Sequence, residues 1–322
     1  MLMRTESPIV VALGGNAISR PDEEGNYAQQ FANTRATSVH LADLIEAGCH
    51  LVITHGNGPQ VGNLLRRVDL SAGELYRLPL DCCVSLTQGG MEYMVAQCLQ
   101  NELRQRGHER NVTALMTSVE VDPADPAFAN PTKPIGSFFT PERAAELIRD
   151  CGWQMTEIPQ RGLRRVVPSP LPRQIIEIDI IRRLAARGEL LVVAGGGGIP
   201  VVRQPSGDYH GVEAVIDKDR TSALLAREIE AGTLVIGTNI ERVAINYHKP
   251  NERLLERLSL ADARRHLADG QFPPGSMGPK IEAAIDFLEN AKSDDPVVII
   301  CDCEHMPAAL RSESGTWIVR ND

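Results

Sequence analysis

Short runs of consecutive apolar residues alternate along the chain with longer stretches whose apolar positions recur every three or four residues. Pro8–Leu13 reads as a strand ending in Gly14-Gly15-Asn16. Phe31–Ala47 has helical spacing through Val39, Leu41, Leu44 and Ile45 and stops at Gly48. His50–Thr54 is the next strand and leads into His55-Gly56-Asn57-Gly58-Pro59. Helices follow over Val61–Val68 and Val84–Arg106, then a strand over Val112–Met116. The second half repeats the rhythm: helix Ile175–Arg187, strand Leu190–Ala194 ending in Gly195-Gly196-Gly197-Gly198, helix Thr221–Ala231, strands Thr233–Ile236 and Val243–Asn246, helix Ile281–Asn290 and strand Val297–Ile300. Strand, glycine turn and helix in repetition predict an α/β fold, a mostly parallel sheet with helices on both faces. Ligands of such folds sit beyond the C-terminal ends of the strands, where three of these glycine loops fall.

Residues 122–172 break the rhythm. They hold Pro123, Pro126, Pro131, Pro134, Pro141, Pro159, Pro168, Pro170 and Pro172 and one helical stretch near Pro141–Asp150. This segment is expected to be an inserted subdomain that projects from the sheet as a lid. The 43% hydrophobic and 23% charged composition over 322 residues is that of a globular protein and excludes disorder, collagen and coiled coil. A net charge of -9 repels phosphate backbones and anionic lipid, so nucleic acid and membrane surfaces are not expected partners. An aromatic content of 4% also weakens base stacking. No run approaches the roughly 20 apolar residues of a membrane span, and the first residues lack the apolar core of a signal peptide. Seven cysteines, an odd number, fit a reducing cytoplasm. Cys301 and Cys303 form a C-x-C with only His305 as an obvious further ligand, so buried thiols are expected ahead of a metal.

Of 33 basic residues only five are lysine: Lys133, Lys218, Lys249, Lys280 and Lys292. Lys133, Lys218 and Lys280 stand inside Gly/Pro/Asp-rich motifs, where a compact ammonium has a specific use. Each motif has a bland reading beside the chemical one. Gly14-Gly15-Asn16 is either a tight turn or an anion loop. The Gly58-Pro59 helix start favours an anion, and His55 beside it is a general base or, preferably, a hydrogen-bonded loop residue. Four glycines at Gly195–Gly198 lose much chain entropy, which fits a backbone wrapped around a ligand or one crossing another backbone. In Asp217-Lys218-Asp219 one carboxylate is a helix cap, while a lysine fixed between two acids is what a phosphoryl group in flight needs. Lys280 in the first turn after Pro279 is a solvated residue, or one with an anionic partner.

Seven stretches occur in collinear order: VALGGNAI from Val11, THGNGPQVGNLL from Thr54, NPTKPIG from Asn130, VVPSP from Val166, GGGGIPVV from Gly195, AVIDKD from Ala214 and GSMGPKIEAAI from Gly275. Together they resemble carbamate kinase, of the amino acid kinase superfamily, from about Ile9 to Leu288. The resemblance implies a three-layer αβα sandwich with a protruding inserted subdomain at about 122–172. It divides the chain into a carbamate/carbamoyl-phosphate lobe, 1–205, and a nucleotide lobe, 206–322. It implies that Lys218 and Lys280 contact the transferred phosphoryl group, that Asp219 organises them, and that Lys133 reaches the site from the insertion. Gly14, Gly15, Asn16, Gly56, Asn57, Gly195, Gly196, Gly197 and Gly198 match the substrate-cradling turns; Asp217, Gly237, Thr238, Asn239 and Met277 fall on the nucleotide side. ATP or ADP as substrate, Mg²⁺ carried by the nucleotide phosphates with no dedicated protein metal site, and a homodimer are further implications. The sequence departs from the family at Arg220-Thr221, Gly237–Arg242, Gln160–Arg164 and the tail after Ile300.

The implied reaction is reversible transfer of a phosphoryl group between carbamoyl phosphate and ADP. Carbamate oxygen is already anionic, so cations and alignment matter and a general base does not. The alternatives are a kinase for an amino-acid carboxylate, disfavoured by the insertion and NPTKPIG, and a non-catalytic or complex-dependent subunit of ureide or carbamoyl-phosphate catabolism, suggested by the altered Gly237–Arg242 loop. A nicotinamide dehydrogenase is disfavoured by the glycine spacing and by the lack of an acidic ribose-binding residue at a second strand end.

Overall fold

The computed structural model describes residues 7–20, 23–158 and 162–321, apart from the side chains of Asn16 and Ser137. Gln160 and Arg161, two of the family departures, and Pro159 lie outside the described residues. Eight strands form the central sheet in the order Arg257–Ser259, Thr316–Val319, Val297–Asp302, Thr233–Thr238, Ile9–Leu13, Leu51–His55, Leu190–Val193, Val112–Leu115. Every neighbouring pair is parallel except Val297–Asp302 with Thr316–Val319.

The apolar runs explain why both faces are covered. Ile9, Val11, Leu13, Leu51, Ile53, Val192, Val235 and Ile299 point to one face and pack on Leu41, Leu44, Met94 and Leu99. Val10, Val52, Leu191, Val193, Leu234, Ile236, Val298 and Ile300 point to the other, against Ala223, Leu225, Ile281, Ala284 and Phe287. A strand that must be apolar at every position can only be buried on both sides. The helices Tyr27–Glu46 and Leu80–Gln105 form one outer layer; Ile178–Ala185, Lys218–Glu228 and Met277–Asn290 form the other. This is the αβα sandwich.

Several helix boundaries differ from the pattern reading, three of them for evident local reasons. The first helix begins at Tyr27, because the Asn26 and Gln29 side chains cap its start reciprocally. Helix Lys218–Glu228 starts three residues early because Asp217 caps it. The helix expected from Ile175 starts at Ile178; Ile175 is paired with Val119 in a strand. Residues Ser118–Val121, Pro172–Ile175, Ile199–Arg203 and Tyr209–Gly211 form a second, four-stranded sheet.

Between Ser118–Val121 and Pro172–Ile175 the chain makes an antiparallel sheet of Lys133–Phe139, Gly162–Val167 and Gln154–Ile158, with helix Pro141–Cys151. This unit sits on helix Gly58–Ser71, and Ile135 and Val167 join Val61, Leu65 and Val84 in a third apolar cluster. Gly62 faces Gly136 so closely that a Cβ on Gly62 would stand 2.0 Å from the Gly136 Cα, and Gly136 has a φ of 74°. Overpacking of this kind costs about 1–3 kcal/mol. Gly62→Ala is expected to lose that much in urea unfolding and to open residues 133–158 to protease. Gly73→Ala, whose new Cβ meets nothing within 4 Å, should do neither.

Candidate active site

The ends of four adjacent parallel strands, Thr238, Leu13, His55 and Val193, lie along one edge of the sheet. The glycine turns leave the sheet there. Asp217 accepts hydrogen bonds from the Asp219 and Arg220 amides through Oδ1, which starts helix Lys218–Glu228 at this edge. Its Oδ2 stands 3.1 Å from the Lys133 ammonium, which also donates to the Ile216 carbonyl at 3.2 Å. Asp217 is therefore both the cap and the partner of the lysine from the insertion.

Asp219 is buried between two further ammonium groups. Lys280 Nζ donates to Oδ2 at 2.8 Å. Lys218 Nζ lies 3.0 Å from Oδ1 as an ion pair outside hydrogen-bond angles, and donates to the Ala12 carbonyl at 3.3 Å. Burial alone raises a carboxyl, but the charges of Lys218 and Lys280 hold Asp219 far below the usual range. Burial pulls Lys218 below the usual lysine range. It pulls Lys280 the same way, but the Asp219 charge outweighs it and lifts Lys280 above. Three ammonium groups against two carboxylates leave an excess of positive charge in a largely buried place. Such a place selects an anion.

The glycines divide into two kinds. A Cβ on Gly14 would sit 2.6 Å from the Gly237 carbonyl oxygen, and one on Gly237 would sit 2.7 Å from the Cys303 sulfur. Cβ atoms on Gly195, Gly196, Gly197 and Gly198 would strike the His55 ring, the Asn57 side chain, the Ile216 carbonyl and Val119 respectively. The amides of Gly195, Gly197 and Gly198 already donate to Glu92, Ala194 and Gly195. Close packing against the chain itself is enough to require glycine at these positions, one of the two readings the sequence allows for Gly195–Gly198. Gly15, by contrast, is exposed, with nothing within 4 Å of its Cβ position. At Gly56 the Lys218 stem crosses 3.3 Å from the Cβ position. Asn57 is buried and donates to Thr87. The side chain of Asn16 lies outside the described residues.

On the nucleotide side, Gly237 and Thr238 end a regular strand in register with Cys301 and Asp302, and Asn239 is exposed beside them. Met277 opens the helix that carries Lys280. Cys301 and Cys303 are buried, and His305 Nδ1 sits 2.8 Å from Asp302. Among the described residues no group of three His, Cys, Asp or Glu could hold a metal.

Sequence reasoning missed Gln88 and Glu92. They lie four residues apart on the inner stripe of helix Leu80–Gln105 and are both buried. Gln88 donates to the Gly195 carbonyl at 2.9 Å and Glu92 accepts from the Gly195 amide at 3.3 Å, so together they hold the glycine loop. Burial pushes the Glu92 carboxyl up to about 8. The available signal was two polar side chains at helical spacing amid Met91, Met94 and Val95.

The chain belongs to the amino acid kinase family, which it matches over residues 7–301. It is 45% identical to the carbamate kinase-like protein YahI of Escherichia coli, over 97% of this chain and 98% of that one. It is 42% identical to the carbamate kinase of Thermococcus kodakarensis, over 97% and 99%. The fold superposes on carbamate kinase from Giardia lamblia bound to AMP-PNP with a TM-score of 0.90 and 37% identity, covering 99% of this chain and 100% of that one.

His55 is fully buried, its Nδ1 faces the Gly56 carbonyl at 3.1 Å, and its Nε2 has no hydrogen-bond partner among the described residues. Burial pushes its pKa down to about 4. A histidine depressed on folding contributes stability that is complete above its unfolded value of about 6.5 and is lost as the pH falls towards 4. That window corresponds to about 3 kcal/mol. Urea unfolding at pH 7 and at pH 4 should show wild type losing about that much more than His55→Gln; equal losses would remove the buried neutral imidazole from the account.

Proposed function

We propose that this chain is a carbamate kinase that moves a phosphoryl group reversibly between carbamoyl phosphate and ADP. The observation that carries the reading is one buried carboxylate, Asp219, between the Lys218 and Lys280 ammonium groups. Both substrates are anions that repel each other, and the phosphoryl group carries charge on its three equatorial oxygens during transfer. An ammonium has three donors. Lys280 spends one on Asp219, and the others are directed by that fixed contact. Lys218 and Lys280 engage the phosphoryl oxygens from two sides, and Asp219 keeps them apart and charged. Lys133, steadied by Asp217, serves the carbamoyl-phosphate side.

In this reading residues 1–205 bind carbamoyl phosphate and 206–322 bind the nucleotide, near Asp217, Gly237, Thr238, Asn239 and Met277. The glycine turns at Gly14, Gly15, Asn16, Gly56, Asn57 and Gly195–Gly198 shape the substrate floor, with Gly15 open to the ligand. Mg²⁺ enters with ADP or ATP as part of the substrate. The nearby carboxylates Asp217 and Asp219 are already paired with lysines, which fits a metal held mainly by phosphates. The non-catalytic alternative is not favoured, since the Gly237 and Thr238 backbone keeps regular sheet register and the lysine constellation is intact.

The enzyme is proposed to act in the cytoplasm, in arginine or ureide catabolism; no described helix is long and apolar enough to cross a membrane. It is also proposed to be a homodimer. The edge strand Val112–Leu115 runs beside exposed Tyr93 and Met116, and Tyr27 reaches Gly90 nearby. Sedimentation should give twice the chain mass of 35.2 kDa; a monomer at micromolar concentration would refute the dimer.

A coupled assay of ATP formed from carbamoyl phosphate and ADP tests the function itself. Lys218→Ala is expected to lower the rate about 10²–10³-fold, as does loss of one oxyanion donor. Near-wild-type turnover in that variant would rule out the assigned role.

A further inference from the structure

Lys218 and Lys280 ride on different helices. Lys218 is the first residue of Lys218–Glu228, and Lys280 stands in the first turn of Met277–Asn290. A single carboxylate between them does not by itself fix how far the second helix slides or turns. That helix also starts without a side-chain cap, at Ser276, after an exposed Pro273–Ser276 segment in which Gly275 has a φ of 78°. Backbone bonds from Ser276 and Gly278 to the Pro273 carbonyl and contacts from its side are what hold its first turn.

Arg220 Nη2 meets Glu282 Oε2 at 2.6 Å. Arg220 follows Asp219 directly, and Glu282 lies two residues beyond Lys280, so this contact ties the two helices beside the reacting ammonium groups. Further along the same pair of helices, Arg227 Nη1 lies 3.6 Å from Asp286 Oδ1. Seven residues separate the two arginines, which places them on one helix face about 10 Å apart. Arg220 is also one of the positions where the sequence departs from the carbamate kinase pattern.

We propose that Arg220 is a positioning residue for phosphoryl transfer: its pair with Glu282 sets where Lys280 stands relative to Lys218. The proposal rests on the reading that both lysines contact the transferred group. The side chains are 31% and 41% exposed, so the pair adds little to stability. Its effect is on alignment, where a shift of about 1 Å can change rates by up to about 10².

The test compares Arg220→Gln, Glu282→Gln, the double variant, the charge swap Arg220→Glu/Glu282→Arg, and Arg227→Gln, which cuts the farther pair. The two single variants are expected to lower kcat at least about fivefold while KM for ADP and for carbamoyl phosphate stays within about twofold. The double variant should be no worse than the worse single one, and the swap should recover most of the loss. Arg227→Gln should lower thermal stability as much as Arg220→Gln yet keep kcat. A second readout needs no turnover. Lys280, 15% exposed and bound to Asp219 at 2.8 Å, is expected to react slowly with acetic anhydride; its labelling, read by peptide mass spectrometry, should rise in Arg220→Gln and Glu282→Gln but not in Arg227→Gln.

Unchanged Lys280 labelling in Arg220→Gln, or a kcat within twofold of wild type, overturns the clamp. So does an Arg227→Gln variant that loses as much activity. A wild-type protein that forms no ATP would instead refute the functional reading, and the labelling would still decide the clamp.

Discussion

The site depends on a carboxylate that two ammonium groups share in a place nearly closed to water. Two lysines brought together there without it would shed a proton to escape desolvation and mutual repulsion. Asp219 prevents this by standing between them, and Asp217, two residues earlier, pairs with Lys133. The balance is deliberately incomplete. Three cations and two anions leave room for a negative ligand, and the dipoles that meet it are already oriented before it arrives.

The sheet makes this arrangement possible because it brings four strand ends side by side. Its parallel strands deliver Gly14, Gly56, Gly195 and Gly237 to one edge, where the chain has no space for side chains. Most of these glycines let backbone pack on backbone, ring or amide. That packing lets the Lys218 stem pass over Gly56 towards Ala12 and Asp219. Gln88 and Glu92 reinforce the same loop from the opposite layer.

Much of this was legible in the sequence, for identifiable reasons. Strands such as Ile9–Leu13 and Leu190–Val193 announce burial on both faces by being apolar throughout. The lysines that converge at the strand ends stood out because arginine fills almost every other basic position. Strand Tyr209–Gly211 escaped notice because it is short and exposed along its whole length. The start of the first helix escaped because a polar capping box carries no hydrophobic period. The dual role of Asp217 and the contact between Arg220 and Glu282 depend on partners more than sixty residues away, which periodicity does not encode. The four consecutive glycines signal a constrained loop, but their neighbours His55 and Asn57, Ile216, and Val119 come from three separate parts of the chain.

The unit that carries Lys133 enters and leaves through two antiparallel neighbours, with Val121 opposite Pro172. Its two ends are clamped together by the scaffold, so extra residues inserted between them add almost no closure entropy. Such a graft can vary in length and outer surface while the scaffold goes on folding unaltered. What it must keep is its packing on helix Gly58–Ser71 and, in the proposed function, the reach of one amine to Asp217, which joins an otherwise exchangeable cassette to the charge balance.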